Sequence, residues 1–308
     1  MINRVLIRIK IIQIIYSYYQ NGGKNLESSE KELFFSISKA YDLYNYLLLL
    51  MVAVTNYAQK RYDVLIKKSN TESNEQMPSR KFIENKFIAQ LEGNKMLLDY
   101  IETQKRTWSG DDNFLRNLYH KILEGDIYKQ YASTPDSSYE EDQEFWRKIY
   151  KSYIQNNDEL DNVLEDISLY WNDDKEIVDT FVLKTIKRFD PKNGANQELL
   201  PEFKDDEDKD FARRLFRHAI LNGDDYGKMI SENSRNWDVN RIALMDFYIM
   251  QVALAEILTF PNIPISVTLN EYVEIDKLYS TPRSGGFVNG TLDGIVKLLK
   301  KENKLLKN

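Results

Sequence analysis

The residues able to do chemistry are few, and their types point to binding rather than catalysis. The chain has 308 residues, no Cys, and only two His, His120 and His218. A cysteine nucleophile, a thiolate metal site, a disulfide scaffold and a histidine-rich metal site are therefore excluded, and no cofactor is expected. The carboxylates fall side by side, as in Asp205-Asp206 and Glu140-Glu141-Asp142. Adjacent residues on one helix or loop do not converge on a substrate as an acid–base pair must. They read as solvated charges or as anions at helix N-termini. What remains are groups suited to recognition. Arg4, Arg8 and Lys10 lie among the first 24 residues, which contain no acid. Such cations either meet RNA phosphates or stay solvated. Tyr16 is either a stacking surface for an unpaired base or core beside Ile12, Ile15 and Tyr19. Near the other end, Arg283, Phe287, Asn289 and Gly290 flank a helix start. An amide there reads a base edge, holds a phosphate, or ties down its own loop. Arg283 adds a phosphate contact, and Phe287 is a platform or a core anchor. No Gly-Lys-Ser/Thr follows, so the run is not a nucleotide loop. Asp246 is an acid inside an apolar run. It must be paired internally or stand at an interface, since an unpaired buried carboxylate is costly.

These groups need scaffolding, and the composition says it is helical. Gly (12) and Pro (7) are scarce, and apolar residues make up 42%. Net charge is −6, which suits a soluble chain better than a general nucleic-acid coat. Both termini are basic and the body between them is acidic, so any nucleic acid belongs at the termini. Periodicity predicts helices over 3–20, 28–68, 80–105, 208–222, 225–233, 240–260, 267–279 and 287–301. On the first, Lys10, Gln13, Ser17 and Gln20 form a narrow polar stripe. No alternating strand pattern persists, so the fold class is all-α. The apolar run 43–58 is shorter than the roughly 20 residues of a membrane span. With no targeting signal at the start, the chain reads as cytoplasmic with no membrane contact. Residues 190–210, with Pro191, Gly194 and Pro201, form the best linker. They divide the chain into 1–200 and 201–308. A pattern of Phe, then Arg, then an aromatic recurs at Phe114, Phe145 and Phe211, each after an acidic cluster. It is either a degenerate duplication or coincidence in a helix-rich chain.

The last hundred residues carry a specific resemblance. Trp237, Arg241-Ile242-Ala243, Asp246, Ala255-Glu256-Ile257 and the P-I-x-V-x-L-N-E-Y-V-E-I run at 264–275 resemble the NusB family of transcription antitermination factors. The closing F-V-N-G-x-L-D at 287–293 is the most specific piece. The opening helix, with Arg4, Arg8 and IIQIIYSYYQ, is similar to the family's arginine-bearing first helix. The resemblance spans about 20 residues at the start and about 95 at the end. It implies a NusB-like helical bundle, enlarged here by additional helices between the first helix and the C-terminal subdomain. It also implies a non-enzymatic factor that binds boxA RNA with NusE, a small-subunit ribosomal protein, in the RNA polymerase antitermination complex during ribosomal RNA transcription. It places the N-terminal cations, Tyr16 and the 283–290 segment at the RNA, and Asp246 at the NusE-like partner. Gln251 stands where the family commonly has Arg. An RNA cytosine methyltransferase with a NusB-like domain is disfavoured by the absence of Cys. The alternative is a non-enzymatic helical protein-interaction scaffold with a decayed RNA surface.

Overall fold

The computed structural model describes residues 3–23, 25–67, 77–234, 242–281 and 284–305, and among them the regular structure is helical throughout. The chain divides into two compact units, Met1–Ser38 with Glu202–Asn308, and Lys39–Pro201. This differs from a division into 1–200 and 201–308, because the first helix packs in the C-terminal unit. The expected linker holds one crossing between units. The other falls inside a helix, where composition gives no sign of it.

In the first unit, helix α1 (Arg4–Gln20) is capped by Asn3, whose side chain accepts from the Leu6 amide. It stops where Gly22 and Gly23 take positive φ, the left-handed turn that favours glycine. Its partners are α11 (Asp206–Leu221) and α13 (Leu244–Thr259). Helix α13 is apolar on every side and buried along nearly its whole length, so it is the hub. Around it stand α12 (Gly223–Asn233), α14 (Ile265–Tyr279) and α15 (Ser284–Lys301). Ile257, Ile265 and Val296 join three of these helices in one buried cluster. Gly223 sits where a side chain has no room. A Cβ there would meet the Tyr19 hydroxyl at 2.3 Å and Gln251 Nε2 at 3.0 Å. Helix α14 starts at Ile265 behind Pro264, with no side-chain cap. Helix α15 starts at Ser284, so Phe287, Asn289 and Gly290 lie within its first two turns. Trp237, Arg241 and Arg283 lie outside the described residues.

Helix α2 (Leu26–Lys67) carries the chain out of this unit; at 1.5 Å per residue it is about 63 Å long. Asn25 caps it by accepting from the Ser28 amide. It is the one described helix long and apolar enough to cross a membrane, and most of that window is buried within the protein.

The second unit packs α3 (Arg80–Ile83), α4 (Lys86–Glu92), α5 (Lys95–Gln104), α6 (Asp112–Glu124), α7 (Asp126–Ala132), α8 (Tyr139–Ile149), α9 (Asp158–Ile167) and α10 (Lys175–Arg188). The single helix expected over 80–105 is three. Ser79, Asn85 and Asn94 each accept from the amide three residues on, so each restarts the helix. Helix α8 begins with a Ser138–Glu141 capping box and runs on into a π-helical turn, Tyr150–Ile154. It packs on α10. Gln143 donates to the Ile186 and Phe189 carbonyls, and Tyr150 donates to Asp179, so the two helices are antiparallel. The three copies of the Phe–Arg–aromatic pattern fall on α6, α8 and α11, whose first turns all carry acids. That placement matches the helix dipole.

Candidate nucleic-acid interface

The first unit presents two ends, and the candidate residues divide between them. At one end lie Arg4, Arg8 and Lys10. Arg8 is only 3% exposed and Lys10 only 1%. Arg8 Nε and an Nη each donate at 2.8 Å to the Glu256 carboxylate, and the second Nη reaches Glu271 at 3.4 Å. Glu256 is fully buried and also accepts from Thr268 and Tyr272, each at 2.9 Å. Burial alone would lower the Arg8 pKa. The hydrogen bonds to Glu256 and the charges of Tyr272, Glu256 and Glu271 outweigh it and raise the value. The assignment of Arg8 and Lys10 to RNA phosphates is therefore corrected. Arg8 is a structural pin between α1, α13 and α14, and Lys10 is enclosed with it.

Arg4 keeps 39% of its side chain exposed, donates to Asp208 at 3.1 Å, and lies over the Phe211 ring. It borders a cleft of about 650 Å³ whose lining includes Asp206, Glu207 and Asp210. Three carboxylates there oppose a phosphate.

At the other end, the fold assembles a different group. Asp246, in the first turn of α13, accepts from the hydroxyls of Ser280 and Ser284. Those residues end α14 and begin α15, so one carboxylate joins three helices. Asp246 is 6% exposed. Its assignment to a partner surface is corrected for the same reason: its oxygens are spent inside the protein. Two residues on, Tyr248 meets Tyr16 edge-on at 5.9 Å and stacks on Tyr19 at 5.2 Å. Gln13 donates to the Tyr279 hydroxyl at 3.2 Å. These contacts bring the middle of α1 to the α14–α15 junction. Tyr16 is 37% exposed, Asn289 and Gly290 are exposed, and Phe287 is half-buried. From Arg4 to Tyr16 is about 18 Å along the helix, so the arginine end and this end are separate. Arg283 lies outside the described residues.

Gln251 takes a structural role. It donates to the Tyr19 hydroxyl at 3.0 Å and to the Ala219 carbonyl at 2.8 Å. The reading from sequence missed the arginine row of α11. Arg213, Arg214 and Arg217 are each about half exposed. Their spacing on one helical face was the available signal. Arg213 and Arg217 both hold Glu30, and Arg214 pairs with Asp210. Among the described residues no cluster of three His, Asp or Glu is placed to hold a metal ion.

The first unit is an all-helical bundle built on a buried Arg–Glu pin, with a tyrosine and an amide exposed on it. Comparison with known proteins gives its family. The NusB family model matches residues 180–297. The chain is 35% identical over 132 residues to the transcription antitermination protein NusB of Salinibacter ruber, covering 41% of this chain and 82% of that protein. It is 38% identical to the Chloroherpeton thalassium protein of the same name, over 32% of this chain and 47% of the relative. It is 40% identical to that of Dictyoglomus turgidum, over 31% and 66%. The solved structure of T. maritima NusB aligns over 41% of this chain and 89% of its own at 35% identity, with a TM-score of 0.30. The chain belongs to the NusB family, and it is longer than these relatives.

Proposed function

We propose that this chain is a transcription antitermination factor that binds boxA-like RNA together with a NusE-like small-subunit ribosomal protein. It acts within the RNA polymerase antitermination complex during ribosomal RNA transcription. The observation that carries the reading is that one unit exposes Tyr16 on α1 and Asn289 and Gly290 in the first turns of α15. Tyr16 offers a face on which a base stacks, Asn289 offers an amide for a base edge, and Gly290 lets a backbone approach. The role is one of recognition and needs no chemical step. Arg4 contributes a single phosphate contact at most, because acids crowd it.

The test is fluorescence anisotropy of a boxA-like RNA against a scrambled RNA, with and without the NusE-like protein. Preference for boxA that sharpens with the partner is the expected result. Tyr16→Ala combined with Asn289→Ala should weaken boxA binding about tenfold or more, since one base stack is worth about 1–3 kcal/mol. Circular dichroism should stay unchanged, because both side chains are exposed.

A second reading has an observation of its own. Burial of Arg8 and Lys10 and the acids around Arg4 leave the first helix poor in free cations, which favours a helical protein-interaction scaffold with a decayed RNA surface. Equal binding of boxA and scrambled RNA, with and without the partner, would select it.

A further inference from the structure

We infer that the second unit carries its own RNA-backbone contact, on the solvent face shared by α8 and α10. The inference rests on the RNA-binding reading above but uses none of its residues. Residues 39–201 hold 28 Asp and Glu against 22 Lys and Arg, so a basic patch there runs against the background. The antiparallel packing places residue 143 of α8 beside 186–189 of α10, and residue 150 beside 179. On a helix of 3.6 residues per turn, Arg147, Lys148 and Lys151 then share a face with Lys184 and Lys187. The charges bear this out. Glu144 lies within reach of Arg147, Lys148 and Lys187, and the three cations hold its carboxyl below the usual range, the Arg147 hydrogen bonds most of all.

Glu144 is already committed to Arg147, which donates to both its oxygens at 2.5 Å. Lys148, Lys151, Lys184 and Lys187 are all exposed, and none forms an ion pair with a described residue. The helix dipole explains cations in the last turns of α8 and α10. It does not explain Lys184, upstream of the last turn of α10. Nor does it require the two sets to converge. Four cations without an ion pair on one face suit a string of regularly spaced negative charges. All four are lysines, which act as point charges rather than as bidentate readers of base edges. The surface therefore fits the phosphodiester backbone of single-stranded RNA, read without sequence preference.

The test uses the full chain and two RNAs: a short boxA-like RNA, and an unrelated single strand of roughly 16 nucleotides without boxA. The variant is Lys184→Glu with Lys187→Glu, two exposed positions of a helix that Glu also favours. Wild type should bind the unrelated strand with affinity that falls steeply with salt. The variant should lose about tenfold or more in that affinity at low salt, and its salt slope should drop by about 2. Binding of the short boxA-like RNA should stay unchanged. If wild type ignores the unrelated strand, or the variant matches wild type in affinity and slope, the inference is overturned. If wild type binds poly-glutamate as tightly as RNA with the same loss in the variant, the patch serves an acidic protein and the inference also falls. If the unrelated strand binds through the patch while boxA is not preferred, the patch stands and the boxA reading fails.

Discussion

Glu256→Ala should destabilise the first unit by about 3–5 kcal/mol, the largest single-residue effect expected in the chain. Three observations set that size. Glu256 is fully buried, it receives both arms of the Arg8 fork, and it also satisfies the Thr268 and Tyr272 hydroxyls. Removing it leaves a guanidinium with 4% of its side chain exposed facing no full partner, since Glu271 lies farther off at 3.4 Å. It also strands two hydroxyls in a dry site. The cost is mostly that of the orphaned charge, not the worth of the pair. Arg8→Met with Glu256→Leu should therefore lose much less than either partner removed alone. Urea unfolding followed by circular dichroism reads this, as a shift of the first unit's transition while the second unit's stays in place. A shift of Glu256→Ala below about 1 kcal/mol would show that water or Glu271 already compensates Arg8, and the pin would lose its role. For the same reason, Arg8 substitutions do not report on RNA: any loss of binding would follow the loss of fold.

That pin explains what the sequence concealed. An arginine near an N-terminus looks like a surface cation, and only a partner 248 residues away reverses the reading. Glu256 and Tyr272 stood in the matched segment, but periodicity shows which face a residue takes, not which distant charge meets it. Asp246 is similar. Its burial cost was foreseen, with internal pairing or an interface as the alternatives. The answer was two serines at the seam of α14 and α15.

Elements governed by local rules were the most legible. The all-helical class follows from period and composition, and the Gly22-Gly23 stop follows from the positive φ that glycine tolerates. The helices at 208–222 and 225–233 lie within a few residues of α11 and α12. Local rules also held the missed information about 80–105. Asn85 and Asn94 are N-cap residues by type, but helical periodicity runs through them, and the breaks show only when each Asn is asked where its side chain goes. The division inside α2 had no local signal, since the helix is unbroken there. Exposed residues such as Tyr16 and Asn289 were named from the resemblance. Their exposure comes from the Tyr248 and Asp246 contacts, which link α1, α13 and the α14–α15 junction.

The same junction makes the second large prediction. Asp276 in α14 has no exposed surface and lies against Asp246 and Ser284. Burial first, and then the charge of Asp246, push its carboxyl up to about 6, against a weaker pull from the Ser284 hydroxyl. A carboxyl raised from 3.8 to about 6 binds its proton more tightly in the folded chain than in the unfolded one. Its contribution to stability is therefore full below about pH 4 and is lost as pH rises through about 6. The loss is on the order of 3 kcal/mol, from about two pKa units at 1.36 kcal/mol each. Asp276→Asn keeps the shape, cannot ionise, and offers an amide donor toward Asp246. It should be more stable than wild type by about that amount at pH 7.5, with the difference shrinking towards zero near pH 4. Urea midpoints of both proteins across that range measure it. Parallel stability curves would mean that Asp276 is ionised and solvated in the folded state, and the buried acid pair would not exist. Because this pair sits under the first turn of α15, the variant should also bind boxA-like RNA with less pH dependence between 5 and 7. The residue that fixes the junction would then also set how firmly Asn289 is held.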